Sequence, residues 1–175
     1  MPITPSIFSF IMVLIDTIES LDLIEAKRRF FQKLLDKYKS AEAIPADEWK
    51  PILSDDEFYV ARLSGTEPAH SGSLTKNFKD GAYTCICCGC DLFVSSYKYS
   101  CAHGWPSFSE SVGKDLNVER RPDTSFGLNR TEVRCKNCLA HLGHVFNDPH
   151  STSNERYCIN SCSVDFQETQ QQSLE

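Results

Sequence analysis

The sequence has 175 residues, 41% of them apolar, which suits one domain of ordinary size with a packed core and an added segment. Its formal net charge of -6 argues against nucleic acid as the main partner, because phosphate binding needs a basic surface. A continuous apolar run of about 18 or more residues does not occur, so no transmembrane helix and no membrane partner are expected.

The N-terminal segment contains an apolar run at residues 7–15. Its length suits a signal-peptide core, but no basic residue precedes it and Asp16 follows it directly. A mitochondrial presequence should be rich in Arg and poor in acids, and here the first Arg is Arg28. We therefore expect a cytoplasmic protein, with mitochondrial targeting as the alternative.

Apolar residues recur at helical spacing over about 18–39, with charged residues of both signs between them. This pattern predicts an amphipathic helix that docks on the domain or on a partner rather than on a membrane. Residues 40–51 read as a linker, and the polar residues 167–175 are expected to fray. The predicted organisation is a helical extension with linker (1–46), a domain (47–170) and a flexible tail (171–175).

After the linker, clusters of Gly, Pro, Ser, Asn and Asp separate short apolar runs. This spacing predicts a mainly β domain built from antiparallel hairpins, with one hairpin turn at 79–82. The runs predicted as strands are 57–63, 82–85, 92–94, 132–134 and 157–159.

Nine cysteines are many for this length, and an odd number would leave one thiol over in a purely disulfide framework. The Cys-x-x-Cys spacing favours metal ligation, and we therefore expect a reducing compartment. Cys135 and Cys138 form one such pair. The other is ambiguous, because two frames overlap among Cys85, Cys87, Cys88 and Cys90.

We choose the frame Cys85 and Cys88, since Gly89 follows it and a knuckle turn benefits from a residue that tolerates positive φ. With Cys135 and Cys138, the four thiolates would form a closed, tetrahedral structural zinc site. The alternatives are four unrelated core cysteines or a redox Cys-x-x-Cys, although the βαβ pattern of the redox type is missing.

Two loops carry further candidates. Trp105, followed by Pro106 and Phe108, could form an apolar wall for a ligand or could cap the core. His141 and His144 flank Gly143 and could converge as zinc ligands, as hydrogen-bond donors to a substrate oxygen, or as satisfied core residues. Asp148 could orient one of the two imidazoles.

Residues 156–160 read Arg-Tyr-Cys-Ile-Asn. In a strand, Arg156, Cys158 and Asn160 would share one face. A nearby cation lowers the pKa of a thiol, and the thiolate is the nucleophile, so this face predicts a reactive cysteine. The alternative is that Cys158 is a small buried core residue.

Five motifs in this order closely resemble the type B methionine sulfoxide reductases, which reduce the epimer that is R at sulfur. They are YTCICCGCDLF (83–93), GWPSF (104–108), CKNC (135–138), HLGHVF (141–146) and RYCINS (156–161). Two shorter segments, 65–67 and 125–130, fit the same family. The resemblance covers about residues 54–167 and implies two antiparallel β-sheets with one zinc ion remote from the chemistry.

The resemblance also implies roles for the residues. Cys158 would attack the sulfoxide and become a sulfenic acid, with His144, His141 and Asn160 as the other catalytic residues. The substrate-binding residues would be Trp105, Phe108, Asp148 and Arg156. The substrate is expected to be methionine sulfoxide in proteins, the reductant a thioredoxin-like dithiol, and the protein a monomer.

The sequence departs from the family where many members carry the resolving cysteine, because His103 occupies that position. Cys101 is our first candidate instead. Cys162 is a poor one, since four residues of extended strand span about 13 Å and a disulfide needs Cα atoms within about 7 Å. Cys87 or Cys90 could also serve, or the enzyme could be a one-cysteine type.

Two other classes of function are open on the residues alone. A zinc-stabilised β domain that only binds proteins or ligands would not need Cys158, Trp105 or the two histidines. A disulfide oxidoreductase would depend on Cys85 and Cys88 for its activity and would lose zinc on oxidation.

Overall fold

The protein is described by a computed structural model that covers residues 7–169. Its first element is a long helix, α1 (Ile7–Tyr38), which begins before the predicted start near residue 18. Within the described part of the chain, no helix is both long and apolar enough to cross a membrane. The predicted tail 171–175 lies outside the described residues.

Two antiparallel sheets form the domain, as the resemblance implied. The smaller has the order β2-β1-β9 and the larger β3-β4-β8-β7-β6-β5. The strands are β1 (Gly81–Cys85), β2 (Asp91–Val94), β3 (Lys98–Tyr99), β4 (Ser107–Phe108), β5 (Val118–Asp123), β6 (Arg130–Cys135), β7 (His141–Asn147), β8 (Glu155–Ile159) and β9 (Val164–Glu168).

One predicted strand is wrong. Residues 57–63 belong to a second helix, α2 (Asp55–Leu63), which Ser54 and Glu57 cap reciprocally. The Ser54 side chain accepts from the Glu57 amide and the Glu57 carboxylate accepts from the Ser54 amide, which is the capping-box signature. That spacing was a local signal for a helix, and it outweighs the apolar run.

Two other predictions of local structure, for residues 79–82 and for the start of the tail, also differ from the observed fold. The expected hairpin turn at 79–82 instead leads into β1, whose partners β2 and β9 both follow it in the chain. Gln167 and Glu168 do not fray, because they pair with Ala82 and Gly81 at the end of β9.

The predicted linker 40–51 is packed on the domain. Trp49 has no exposed surface and lies on a short 3-10 helix, Ala46–Ile52. Its ring stacks on Phe31 of α1 at a centroid distance of 5.7 Å, and the guanidinium of Arg62 lies 4.6 Å from the same ring. An ion pair between Lys27 and Asp165 joins α1 to β9. The helix therefore docks on the domain through both apolar and charged contacts.

Candidate active site

An open cavity of about 130 Å³ lies on the larger sheet. Its lining consists of Thr66, Trp105, Arg130, Gly143, His144, Phe146, Cys158 and Asn160. These residues come from five separate segments of the chain, which the fold brings together. A cavity this small accepts the end of one side chain rather than a drug-sized ligand.

Cys158 lies on β8, between β4 and β7, and it pairs with Ser107 on one side and His144 on the other. Directly opposed residues in an antiparallel pair have their Cβ atoms about 5 Å apart on one face. The thiol and the imidazole are therefore neighbours across the strands. Gly143 permits this close approach, because a Cβ there would lie 2.0 Å from the carbonyl oxygen of Cys158.

A carboxylate fixes the tautomer of His144. Its Nε2 lies 2.7 Å from Oδ2 of Asp123, and a carboxylate only accepts, so Nε2 carries the proton and Nδ1 is left as an acceptor. Burial lowers the pKa of His144 more than Asp123 raises it, and Arg130 lowers it further. Hydrogen bonds from Ser125 and His144 hold the pKa of Asp123 well below its usual range.

Arg130 belongs to the same cluster, since one of its terminal nitrogens lies 2.7 Å from Oδ2 of Asp123. Cys158, His144 and Asp123 thus lie in series, an arrangement that can supply a nucleophile, a base and an orienting carboxylate. Asp123 and Arg130 were absent from the predicted site residues. In the sequence, the only indication of these two residues was the segment 125–130, which fits the family. That segment contains Arg130, and Asp123 lies just before it.

Glu67 holds one wall of the cavity in place. It is buried, and its carboxylate accepts hydrogen bonds from the backbone amides of Ser161 and Cys162. Its carbonyl oxygen accepts from Nε1 of Trp105 at 3.1 Å. The half-buried Trp105 is therefore fixed in orientation rather than free to cap the core.

Asn160 has a similar structural task. Its Oδ1 accepts from the amide of Glu67 and its Nδ2 donates to the carbonyl of Leu142. Both ends of the amide thus have backbone partners, which ties β7 and the Glu67 segment to the end of β8. The predicted catalytic residue lines the cavity as a rigid brace.

Arg156 and Asp148 form a pair beside the cavity. Nε of Arg156 forms an ion pair with Oδ2 of Asp148 at 3.2 Å, and the hydroxyl of Tyr99 donates a hydrogen bond to the same oxygen at 2.8 Å. The guanidinium lies 5.0 Å from the ring of Phe146, which lines the cavity. Asp148 therefore orients Arg156 rather than an imidazole.

Like Arg156 and Asp148, two further predicted site residues lie outside the lining of the cavity. Phe108 is fully buried in the core, stacked on Phe93 at 4.6 Å, and Phe146 is the phenylalanine at the cavity. His141 is buried with its Nδ1 2.8 Å from Glu132, and its ring centroid lies 5.5 Å from that of His144. Its Nε2 has no hydrogen-bond partner among residues 7–169.

The pKa of Cys158 differs from the expectation of a lowered value. Burial raises it to about 11, and the neighbouring Arg156 lowers it by less than burial raises it. At neutral pH Cys158 is therefore a thiol, and it must lose its proton to become a nucleophile.

Alkylation of Cys158 by iodoacetamide should consequently rise about tenfold per pH unit through the neutral range and level off only near pH 11. Arg156→Met should slow alkylation at a fixed pH about tenfold, because the cation that favours the thiolate is gone. Mass spectrometry of the peptide containing Cys158 measures both rates. A plateau below pH 8 would contradict the assignment.

The other thiols differ in position, and all nine cysteines are free. Cys101 is half-buried in the loop that also carries Trp105, and its Sγ lies 2.5 Å from Nδ1 of His103. Cys162 lies on a 3-10 turn, Ser161–Ser163, so the strand ends before it. It lines a separate cavity with residues such as Asp56 and Phe166.

Cys85, Cys88, Cys135 and Cys138 form a buried cluster whose four Sγ atoms lie within 4.8 Å of one another. Two cross-pair distances are 3.5 Å, between Cys85 and Cys138, and 3.7 Å, between Cys88 and Cys135. A tetrahedral ion with metal–sulfur bonds of about 2.3 Å requires sulfur atoms about 3.8 Å apart. The cluster therefore has the size that a metal ion requires. It uses the Cys85 and Cys88 frame, which Gly89 indicated.

The two Cys-x-x-Cys turns have the same backbone form. Gly89 has φ +68° and its amide donates to Cys85, while Leu139 has φ +64° and its amide donates to Cys135. A Cβ at Gly89 would also lie 3.0 Å from Cγ2 of Ile24 on α1. Glycine at this position thus serves both the turn and the docking of the helix.

Comparison with known proteins places these features in one family. The SelR domain model matches residues 53–168. The chain is 52% identical over 130 residues to "Probable methionine-R-sulfoxide reductase B" of Caenorhabditis elegans, with 74% of this chain and 86% of that protein covered. It is 48% identical over 125 residues to human "Methionine-R-sulfoxide reductase B2, mitochondrial", with 68% and 69% covered.

Proposed function

Because this chain belongs to the SelR-domain family of methionine-R-sulfoxide reductases, we propose that Cys158 reduces the R epimer of methionine sulfoxide to methionine. The observation that carries the proposal is the series Cys158, His144, Asp123 at one small cavity. It supplies a nucleophile, a proton carrier and an orienting group.

The tautomer of His144 determines which nitrogen can carry the proton of the reaction. Nδ1 of His144 takes the thiol proton as Sγ of Cys158 attacks the sulfoxide sulfur, and the same nitrogen then gives that proton to the oxygen. Oxygen moves to Cys158, methionine leaves, and a sulfenic acid remains. Asp123 stabilises the transient imidazolium. A raised pKa of Cys158 suits this path, because the thiol brings the proton that the oxygen needs.

The remaining residues divide between binding and orientation. Trp105 and Phe146 form apolar walls for the methyl group of the substrate. Arg130 stabilises negative charge on the oxygen. Arg156 lies 5.0 Å from the Phe146 ring and is paired with Asp148. His141 packs against His144, and Asn160 holds the wall of the cavity through its two hydrogen bonds to the backbone. The small open cavity favours a methionine sulfoxide side chain on a protein.

The sulfenic acid is resolved by Cys101 and the disulfide is reduced by a thioredoxin-like dithiol. Cys101 shares its loop with Trp105, which lines the same cavity as Cys158.

Oxidation with one equivalent of substrate, without reductant, should give a Cys101–Cys158 disulfide in the wild type. Cys101→Ser should instead accumulate sulfenic acid on Cys158, since no partner thiol remains, and its turnover with a dithiol protein should fall about tenfold or more. Peptide mapping after dimedone labelling distinguishes the two products. A sulfenic acid that persists in the wild type would make this a one-cysteine enzyme.

Zinc is the metal that the four-thiolate cluster suits, and its role would be structural. Cys85 ends β1 of the smaller sheet and Cys88 follows it, while Cys135 ends β6 of the larger sheet and Cys138 follows it. A bound ion would tie the two sheets together. The sequence divides the chain into 1–46, 47–170 and 171–175. We propose that α1 nevertheless belongs to one structural unit with the domain, because it docks on it.

Free thiols throughout the chain support a reducing compartment, which we take to be the cytoplasm. We also propose a monomer. The experiment that tests the function is an epimer-resolved assay on a peptide containing methionine sulfoxide. Consumption of the R epimer alone, with release of one methionine per sulfoxide, is expected. Equal consumption of the S epimer would overturn the proposal.

A further inference from the structure

The loop between β3 and β4, residues 100–106, carries a thiol and an imidazole in contact. Sγ of Cys101 lies 2.5 Å from Nδ1 of His103, and His103 is exposed while Cys101 is half-buried. At this distance the ring nitrogen can accept the proton of the thiol, as in other Cys–His pairs. The pair is separate from the series built on His144.

The register of the sheet places this loop beside Cys158. Tyr99, the last residue of β3, pairs with Ser107, and Ser107 pairs with Cys158. Two strand spacings separate Tyr99 from Cys158, about 10 Å. Cys101 follows Tyr99 by two residues, so it lies in the loop next to these paired strands, and a movement of that loop would bring its thiol to Cys158.

The far end of the loop is anchored, which confines that movement. The carbonyl of Gly104 accepts from the amide of His70 at 2.8 Å, and Gly104 has φ +92°. A Cβ at Gly104 would lie 2.8 Å from that amide nitrogen. Trp105 is also fixed through Glu67. The part of the loop that must move is therefore 100–103, which contains both members of the pair.

We propose that His103 is the base of the resolving step, an inference that rests on the proposed function of Cys158 and Cys101. Nδ1 of His103 removes the thiol proton of Cys101, whose sulfur attacks Sγ of Cys158. The S–S bond forms, the S–O bond of the sulfenic acid breaks, and the hydroxyl leaves as water with the proton that His103 returns. The electrons that reduce the sulfenic sulfur come from Cys101.

His103→Ala tests the inference in a single turnover without reductant. Disulfide formation should slow about 10²-fold, and sulfenic acid on Cys158 should accumulate. Added imidazole should restore much of the rate, because the role is chemical. His150→Ala is the matched control, since His150 is exposed and only its backbone amide contacts Asp148; it should resolve at the wild-type rate.

Methionine released in the same reaction reports the earlier step, so the two proposals fail separately. A wild-type rate of disulfide formation in His103→Ala, or a slow rate that imidazole does not restore, would overturn the role of His103. If the wild type releases methionine but forms no Cys101–Cys158 disulfide, both the resolving role of Cys101 and this inference are wrong. If it releases no methionine, the function proposed for Cys158 fails.

Discussion

Cys158→Ser should lose at least about 10⁴-fold in turnover of the R epimer while keeping the fold. A serine hydroxyl is nearly the size of the thiol, so the half-buried position on β8 should accept it. It is a far weaker nucleophile toward sulfoxide sulfur and cannot hold the oxygen as a sulfenic acid. The measurement is methionine released in a single turnover, with circular dichroism as the check of the fold.

Cys162→Ser is the matched control. Cys162 is also half-buried, but it lies on the turn after β8 and lines a different cavity. It should keep the activity of the wild type. Equal activity of the wild type and Cys158→Ser would show that the nucleophile lies elsewhere and would remove the central assignment.

Cys135→Ser should abolish metal binding and the stability of the domain together. Structural zinc in small proteins contributes about 10–16 kcal/mol, whereas a whole domain has only about 5–15 kcal/mol of stability. Cys135 ends β6 of the larger sheet. Its Sγ lies 3.7 Å from the Sγ of Cys88, which comes just after β1 of the smaller sheet. Its loss therefore removes the link between the sheets.

Elemental analysis and thermal unfolding with and without chelator measure the two effects. About one zinc per chain is expected for the wild type and much less for Cys135→Ser. Cys90→Ser is the control, because Cys90 belongs to the overlapping frame that the cluster does not use. It should retain the zinc. Loss of metal from Cys90→Ser as well as from Cys135→Ser would contradict the choice of the Cys85 and Cys88 frame.

Local sequence patterns predicted much of this site. The alternation along residues 156–160 corresponds to β8 and places Cys158 in the cavity, and Gly89 indicated the Cys-x-x-Cys frame that clusters. Such inferences succeed because a strand period or a knuckle turn depends on only a few adjacent residues. The capping box formed by Ser54 and Glu57 is an equally local pattern, and it indicates the start of α2.

The partners of these residues depend on strand pairing. Asp123 reaches His144 because β5, β6 and β7 lie side by side, and no spacing in the sequence states that order. The same holds for Phe146, which lines the cavity while Phe108 fills the core. The alternation within a strand defines two faces, but burial of each face depends on what packs against it.

The sequence by itself determined which reactive side chains are available: a cysteine on a predicted strand, four thiols spaced for a metal and two histidines. The tertiary structure decided how they are used. Burial raises the pKa of Cys158 more than Arg156 lowers it, and the contact with Asp123 leaves Nδ1 of His144 as a hydrogen-bond acceptor. These outcomes depend on distances and desolvation, which exist only after distant segments have packed.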